Sequence, residues 1–285
     1  MQGVIPKSLL TQREFAEVKK LTEVCNSFGT LDYLNPDPEM ARSKSSFPNQ
    51  FLYYENGGLV GFLTLFISRE PEASLVVHPG HRRRGIGTAL LQSVKNSCKD
   101  RGVNRFLLVC EDKSVSGKAF VEHVGAQYLF SEYRMKLQKA SLPNPQQLGQ
   151  LKLERASEQD TGLLAALLAQ SFNDAAEDHA RRLTQDIHRS THRFYLAKLD
   201  EKAVGCLGVT GHELRVYVIA FGVLPEYRGR GFGRWMLTHI ANNLVREDWK
   251  EILIEVRTDN LNALSLYRSC GFMEVTSYNY YNVKT

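Results

Sequence analysis

Two stretches of this chain share one pattern: Val77-His-Pro-Gly-His-Arg-Arg-Arg-Gly-Ile-Gly87 and Val223-Leu-Pro-Glu-Tyr-Arg-Gly-Arg-Gly-Phe-Gly233. In both, a valine, a proline, two arginines and two glycines stand at the same places, and the second stretch follows the first by 146 residues (223 − 77). The same offset relates two predicted helix caps, Thr11 and Ser157. A constant offset over this span indicates that the chain is a tandem duplication.

Working outward from these stretches, both copies show the same order of predicted elements. A helical region is followed by two strands, a third strand, the glycine loop, a helix, a strand, a helix and a final strand. After the second loop, Phe232, Met236 and Ile240 recur every four residues, which indicates a helix with one buried face. Strands alternating with helices predict an α/β (α+β) domain, here made twice. The predicted domains are residues 1–139 and 151–285, joined by a polar linker with two prolines at residues 140–150.

A glycine loop between a predicted strand and a predicted helix is typical of an anion-binding site. Glycines let the backbone turn tightly, so that successive N–H groups point outward at the helix N-terminus, where the helix dipole favours negative charge. No Lys-Ser or Lys-Thr pair closes either loop, which excludes the nucleoside-triphosphate loop. The dinucleotide fingerprint is excluded as well, because its third glycine is replaced by Arg234 and Leu90. What remains in both copies is R-x-x-G-x-G after Val-x-Pro.

This pattern resembles the pyrophosphate loop of the GNAT superfamily of acyl-CoA-dependent N-acyltransferases. The resemblance implies two tandem GNAT-type domains, each a mixed, largely antiparallel sheet flanked by helices, and acetyl-CoA as cosubstrate. It also implies contacts with CoA from the splayed strand and from the loop. In the second copy these residues are Phe221, Val223, Arg228, Gly229, Arg230, Gly231 and Gly233, and in the first copy Val77, Arg82, Gly85 and Gly87.

A second stretch separates the two copies. Asn260-Leu-Asn-Ala-Leu-Ser-Leu-Tyr-Arg-Ser-Cys-Gly-Phe272 is similar to the family signature N-x-x-A-x-x-L-Y-x-x-x-G-F at every defined position. The resemblance implies that Asn260 bonds the pantetheine arm and that Tyr267 protonates the departing thiolate. The alternatives are a helix cap for Asn260 and sheet packing for Tyr267. The first copy has Ser114 and Val121 at these positions, so it keeps the loop and has lost the acid. Catalysis is therefore expected in the C-terminal copy.

The base that accepts the proton of an amine is less well marked. Family members often carry a carboxylate on the strand before the loop, and Arg215–Val223 contains none. Glu213 lies just before that strand, Glu255 lies on the next one, and Tyr217 stands near the usual position of the carboxylate. The helical stretch Asn173–His192 is expected to flank the acceptor cleft, as it does in the family.

Composition and charge bound the function further. The net charge of +5 is too small to indicate nucleic acid, the longest apolar stretch is too short to cross a bilayer, and His188 and His192 have no third ligand nearby, so no metal is expected. Five scattered cysteines suit a reduced cytoplasmic protein. The expected partners are a CoA thioester and a small primary amine. The main alternative is a non-catalytic acyl-CoA-binding or sensing protein; the acceptor and the oligomeric state stay open.

Overall fold

The computed structural model describes residues 3–33, 36, 45–67, 70–144, 148–173 and 175–285. The chain forms two units, one made of Met1–Glu132 with Thr276–Thr285 and the other of Tyr133–Val275. Strands β6 (Gln127–Leu137) and β12 (Phe272–Lys284) contribute residues to both units. All five cysteines are free and buried. Among the described residues, no helix combines the length and the apolar character that crossing a membrane requires.

The first unit is a mixed sheet with helices. Its strands lie in the order β1-β2-β3-β4-β5-β12-β6, all neighbouring pairs with a defined register being antiparallel except β4 and β5, which are parallel. Its elements before the shared strands are β1 (Gly3–Lys7), α1 (Gln12–Gly29), β2 (Gln50–Glu55), β3 (Gly58–Phe66), β4 (Glu72–Val77), α2 (Ile86–Lys99), β5 (Arg105–Glu111) and α3 (Val115–His123).

Local sequence explains the helices of this unit. Thr11 caps α1 in a reciprocal arrangement with Glu14, as the spacing of these residues predicts. Ile86, Leu90 and Val94 recur every four residues on α2 and are all buried in the core beneath the sheet. The buried face of α2 packs against alternating strand residues, and α1 packs on the strands through a second cluster that includes Val18 and Leu21.

The second unit repeats this plan. Its strands lie in the order β6-β11-β10-β9-β8-β7, with β10 and β11 parallel. Phe232, Met236 and Ile240 on α6 are buried, as their spacing predicts. The elements between the shared strands are β7 (Lys152–Arg155), α4 (Thr161–Phe172), α5 (Ala176–Asp186), β8 (His192–Leu199), β9 (Lys202–His212), β10 (Arg215–Val223), α6 (Phe232–Arg246), β11 (Glu251–Arg257) and α7 (Leu261–Ser269).

The fold class is confirmed, and three local predictions differ from the structure. Each copy of the repeat begins with a short edge strand, β1 or β7, rather than with a helix. The helical stretch predicted at Asn173–His192 is confined to α5, because His192 already pairs with Thr210 as the first residue of β8. The two missed strands are only five and four residues long, which leaves too few positions for an alternating pattern to stand out.

The units also divide the chain differently from the predicted domains at 1–139 and 151–285. Residues from Tyr133 onward in β6 lie beside β11, where Lys136 Nζ bonds Glu251 Oε1 at 2.6 Å. Residues from Thr276 onward in β12 pair with β5, Tyr278 opposite Glu111. The described part of the predicted linker packs on the second unit, through Leu142 and Leu148. Repeat spacing locates copies but carries no information on which strands pair.

Candidate active site

Strand β10 of the second unit is interrupted near its carboxyl end. Its register with β9 shifts between Ile219 and Gly222, and Ala220 adopts a positive φ of +49°. Parallel pairing with β11 covers only Arg215–Val218. The two parallel strands therefore part at the bulge, and Phe221 lies on the open side of it.

The glycine loop follows this gap directly. A single 3₁₀ turn leads into Arg228, after which Gly229 and Gly231 have φ values of +75° and +82°. Gly231 is the N-cap of α6. A side chain at Gly233 would place its Cβ 3.2 Å from Leu266 Cδ2, which is tighter than ordinary contact. The loop therefore needs its glycines for backbone shape and close packing, and it presents a helix N-terminus suited to a phosphate group.

The loop arginine has a structural task that the sequence did not indicate. Arg228 Nε donates to the Val223 carbonyl at 3.0 Å, and Arg228 Nη2 donates to the Ser171 carbonyl at 2.7 Å. In the first unit, Arg82 Nε donates in the same way to the Val77 carbonyl at 3.1 Å. The structure directs both guanidinium groups at the backbone, where they close the loop on the preceding strand. The shared spacing of five residues between valine and arginine was the available signal.

Tyr267 lies beside the open side of the bulge. It is 7% exposed on α7, and its ring stacks on that of Phe221 with 6.1 Å between centroids. Burial raises the pKa of the Tyr267 phenol well above its ordinary value, with a smaller contribution from Cys270. The hydroxyl therefore stays protonated throughout the neutral range and has a proton to donate.

Asn260 occupies the position of a helix cap. Its Oδ1 accepts a hydrogen bond from the Ala263 N–H at 3.1 Å at the start of α7. Ser114 caps α3 in the same way, its Oγ accepting from the Gly117 N–H at 3.1 Å. The capping alternative for Asn260 is thus present in the structure, and it leaves the amide nitrogen as the group that can donate to a ligand.

Of the three candidate bases, Glu255 and Tyr217 share a partner, Arg134, whereas Glu213 lies at the opposite end of β10 from the bulge. Glu213 lies in the turn before Arg215. The strand from Arg215 to Ala220 alone rises about 16 Å, so Glu213 is at least that far along the strand from the bulge. Glu255 on β11 bonds Arg134, with 2.9 Å from Nε to Oε1. The same guanidinium lies over the Tyr217 ring, 5.4 Å from its centroid. Arg134 was missed because repeat spacing assigned its strand to the first domain.

The first unit has a cavity at the corresponding place. Strands β4 and β5 pair only at Glu72–Leu107 and Ala73–Leu108. The loop keeps its shape without one glycine, since Arg83 takes a positive φ of +61° where the second copy has Gly229. A cavity of about 390 Å³ opens where the strands part; its lining includes Val77, Arg82, Gly85, Gly87, Ser114 and Val121.

Comparison with known proteins agrees with the repeat. The profile of the acetyltransferase (GNAT) family matches twice, over residues 16–126 and 162–272, again 146 residues apart (162 − 16). The chain belongs to the acetyltransferase (GNAT) family. Its membership confirms the tandem GNAT layout that the two glycine loops predict.

Two relatives align with most of this chain. The mycothiol acetyltransferase of Thermobispora bispora is 29% identical over 243 residues, which cover 79% of this chain and 80% of the relative. That of Frankia casuarinae is 25% identical over 268 residues, covering 84% and 75% of the two chains. Both alignments span most of this chain, so the likeness is not confined to one unit.

Solved structures show the same fold. A GCN5-related N-acetyltransferase from Sphaerobacter thermophilus has a TM-score of 0.78 at 16% identity, covering 99% of this chain and 95% of the other. A tandem GNAT protein from the clavulanic acid biosynthesis pathway has a TM-score of 0.73 at 17% identity, covering 100% and 98%. At this identity the likeness concerns architecture alone.

Membership makes this GNAT protein an acyltransferase of the acetyltransferase class. Within the described residues, no group of three or more histidine, cysteine, aspartate or glutamate side chains is placed to hold a metal ion. The groups that the second unit does assemble are a bulged strand, a glycine loop at a helix N-terminus and a buried tyrosine.

Proposed function

We propose that this chain transfers an acetyl group from acetyl-CoA to the primary amine of a small-molecule acceptor, and that the second unit carries out the chemistry. The observation that carries the proposal is the placement of Tyr267 against Phe221, just beyond the bulge in β10. A protonated, buried phenol beside a splayed strand is what a departing thiolate needs.

The reaction has one bond made and one broken. The neutral amine attacks the thioester carbonyl carbon, so that a C–N bond forms while the carbonyl oxygen becomes an oxyanion. Backbone N–H groups near Phe221 stabilise that charge. As the C–S bond breaks, Tyr267 donates its proton to the sulfur. The proton released from nitrogen passes to solvent, and solvent returns a proton to Tyr267. Holding amine and thioester together in the gap between β10 and β11 lowers the entropic part of the barrier.

The loop and the helix ends supply binding. The backbone of Gly229–Gly231 and the N-terminus of α6 suit the pyrophosphate, and the amide of Asn260 suits the pantetheine arm. In our proposal Arg228 acts by closing this loop, while Arg230, 5.2 Å from the Tyr227 ring centroid, adds positive charge. Removal of CoA would leave the loop shape intact, because glycine conformations and the arginine bonds hold it.

The first unit is proposed to hold CoA without transferring an acyl group. Its loop Arg82–Gly87 and its cavity remain, whereas Val121 stands where Tyr267 provides a proton. The mycothiol acetyltransferase relatives support acetyl as the transferred group and a small molecule as the acceptor. Free, buried cysteines support a reducing compartment such as the cytoplasm. A purely non-catalytic protein is disfavoured, because it would have no use for Tyr267.

The test is a screen of small amines, aminoglycosides, amino acids and peptides for thiol release from acetyl-CoA, followed by Tyr267→Phe with the best acceptor. We expect the variant to lower kcat by about 100- to 10,000-fold, since general acid catalysis is worth this much, and to leave acetyl-CoA affinity within threefold. The matched control is Tyr195→Phe on β8. Wild-type turnover in the Tyr267 variant would remove this residue from the mechanism.

A further inference from the structure

A tyrosine from outside the repeat pattern bridges the split strands of the first unit. The Tyr33 hydroxyl donates to the Val109 carbonyl on β5 and accepts from the Leu75 N–H on β4 at 3.4 Å. These two backbone groups lie just beyond the last paired residues of the parallel strands, Ala73 and Leu108. Tyr33 therefore fills the place where β4 and β5 part.

The repeat shows which residues of the second unit correspond to this place. Adding 146 to Leu75 and Val109 gives Phe221 and Glu255, so Leu75 corresponds to the residue whose ring stacks on Tyr267. In the second unit, this is the position proposed to receive the thioester. In the first unit, the backbone N–H at this position is already bonded to a phenol oxygen.

The segment that carries Tyr33 is fixed on the same sheet. The Asp32 N–H donates to Glu111 Oε2 at 2.9 Å, and the Asp32 carbonyl accepts from the Tyr278 hydroxyl at 2.5 Å. Glu111 is 1% exposed and also accepts from Thr276 Oγ1 at 2.7 Å. Burial raises the pKa of Tyr33, so its hydroxyl remains a donor at neutral pH. Displacing this ring would break hydrogen bonds that are partly buried.

Tyr33 lines the same cavity as the glycine loop. Leu31 and Tyr33 line it together with the loop residues Arg82 and Gly85 and the helix cap Ser114. The glycine loop and the helix N-terminus thus face the cavity and can contact a nucleotide. Tyr33 occupies the position, between the parted strands, that corresponds to the thioester site of the second unit.

We propose that Tyr33 is a specificity-determining residue that lets the first unit bind free CoA and excludes acyl-CoA thioesters. This rests on the proposed function, because it takes CoA to be the ligand of both loops. A free thiol needs no carbonyl partner and can end at the Tyr33 ring. An acyl group would need the volume of that ring, and its carbonyl would compete for the Leu75 N–H. The unit would then respond to the product of acetyl transfer and not to its substrate.

The experiment isolates the first unit in the full chain with Gly231→Val, and compares CoA with acetyl-CoA by titration calorimetry. We expect one CoA per chain and at least tenfold weaker acetyl-CoA. Adding Tyr33→Ala should bring the two affinities within about twofold by strengthening acetyl-CoA binding, with CoA affinity changed less than threefold. Tyr33→Phe keeps the ring and frees the Leu75 N–H, so it should reduce the ratio of CoA to acetyl-CoA affinity by a smaller amount. This variant provides the test if the alanine variant does not fold.

Equal affinities in the parent chain, or a ratio that neither Tyr33 variant narrows, would overturn the role of Tyr33. Absence of CoA binding in the Gly231→Val chain would overturn it too. The proposed function is tested separately, by measuring the turnover of a Tyr33→Ala variant that keeps Gly231. We expect this turnover to be at the wild-type level. A chain that turns over no acceptor fails as an enzyme, whatever the calorimetry gives.

Discussion

At the scale of single residues, Asn260 has two tasks that can be separated. Its side-chain oxygen caps α7, and its amide is the proposed donor to pantetheine. Ser114 caps α3 with an equal distance but carries no amide. Serine at this position therefore keeps the cap and loses the donor. The two copies therefore differ by a change of asparagine to serine, and this change separates an effect on pantetheine binding from an effect on helix stability.

We predict that Asn260→Ser raises the KM for acetyl-CoA by about tenfold, the loss of roughly one hydrogen bond, while the free energy of unfolding stays within ~0.5 kcal/mol of the parent. Asn260→Ala should raise KM similarly and also cost ~1 kcal/mol in stability, because the cap is lost. Steady-state kinetics and urea unfolding measure the two effects. Ser114→Ala is the control for a cap without catalysis. An unchanged KM in the serine variant would leave Asn260 with the cap alone.

How well the sequence predicts single residues depends on the range of their contacts. Thr11 and Ser157 were predictable because a cap bonds a residue three positions away. The contact of Arg228 with Ser171 was not, since those residues are 57 positions apart. Tyr33 was also missed, because it lies outside every element that repeats and its two partners lie on separate strands.

At the scale of elements, the glycine loop and the helix that follows it have the same structure in both units. Gly85 and Gly231 are the N-caps of α2 and α6, with φ values of +78° and +82°. Both features were predictable from the motif, because only glycine adopts such a φ without strain. The bulge at Ala220 was not, because nothing in an apolar strand marks the residue at which a register shifts.

We predict opposite consequences for valine at these two caps. Gly231→Val should abolish turnover and one of two CoA sites, because a branched side chain at positive φ distorts the loop and covers the helix N-terminus. Gly85→Val should remove the other CoA site and leave at least half of the turnover. CoA stoichiometry and kcat distinguish them. The control is Gly102→Val, a turn position at φ +70° away from both loops. If Gly85→Val were the inactive variant, the two units would have the reverse roles.

At the scale of the whole chain, the last ten residues belong to the first unit. Strand β12 pairs with β5 from Tyr278 opposite Glu111 to Lys284 opposite Arg105. Tyr278 and Val283 are each 4% exposed there. Pairing of residues more than 160 positions apart leaves no trace in local patterns or in the repeat offset. A boundary drawn from the repeat therefore cuts the first unit away from one of its own strands.

A chain ending at Val275 tests this arrangement. Without residues 276–285, strand β5 loses its antiparallel partner and keeps only its short parallel pairing with β4. The buried side chains Tyr278, Tyr280 and Val283 are also lost, each worth roughly 1.5–3 kcal/mol. Glu111, 1% exposed, also loses its bond from Thr276, and a buried carboxylate that loses one of its hydrogen bonds is less favourable. We expect the first unit to unfold at least ~3 kcal/mol more easily, with loss of its CoA site, as measured by urea unfolding and hydrogen exchange of β5 amides. The control removes Lys284 and Thr285 alone, which spares these side chains. Should the chain ending at Val275 keep its protection at Leu108 and Cys110, whose N–H groups face β12, pairing with β12 would not stabilise the first unit and the domains would follow the repeat after all.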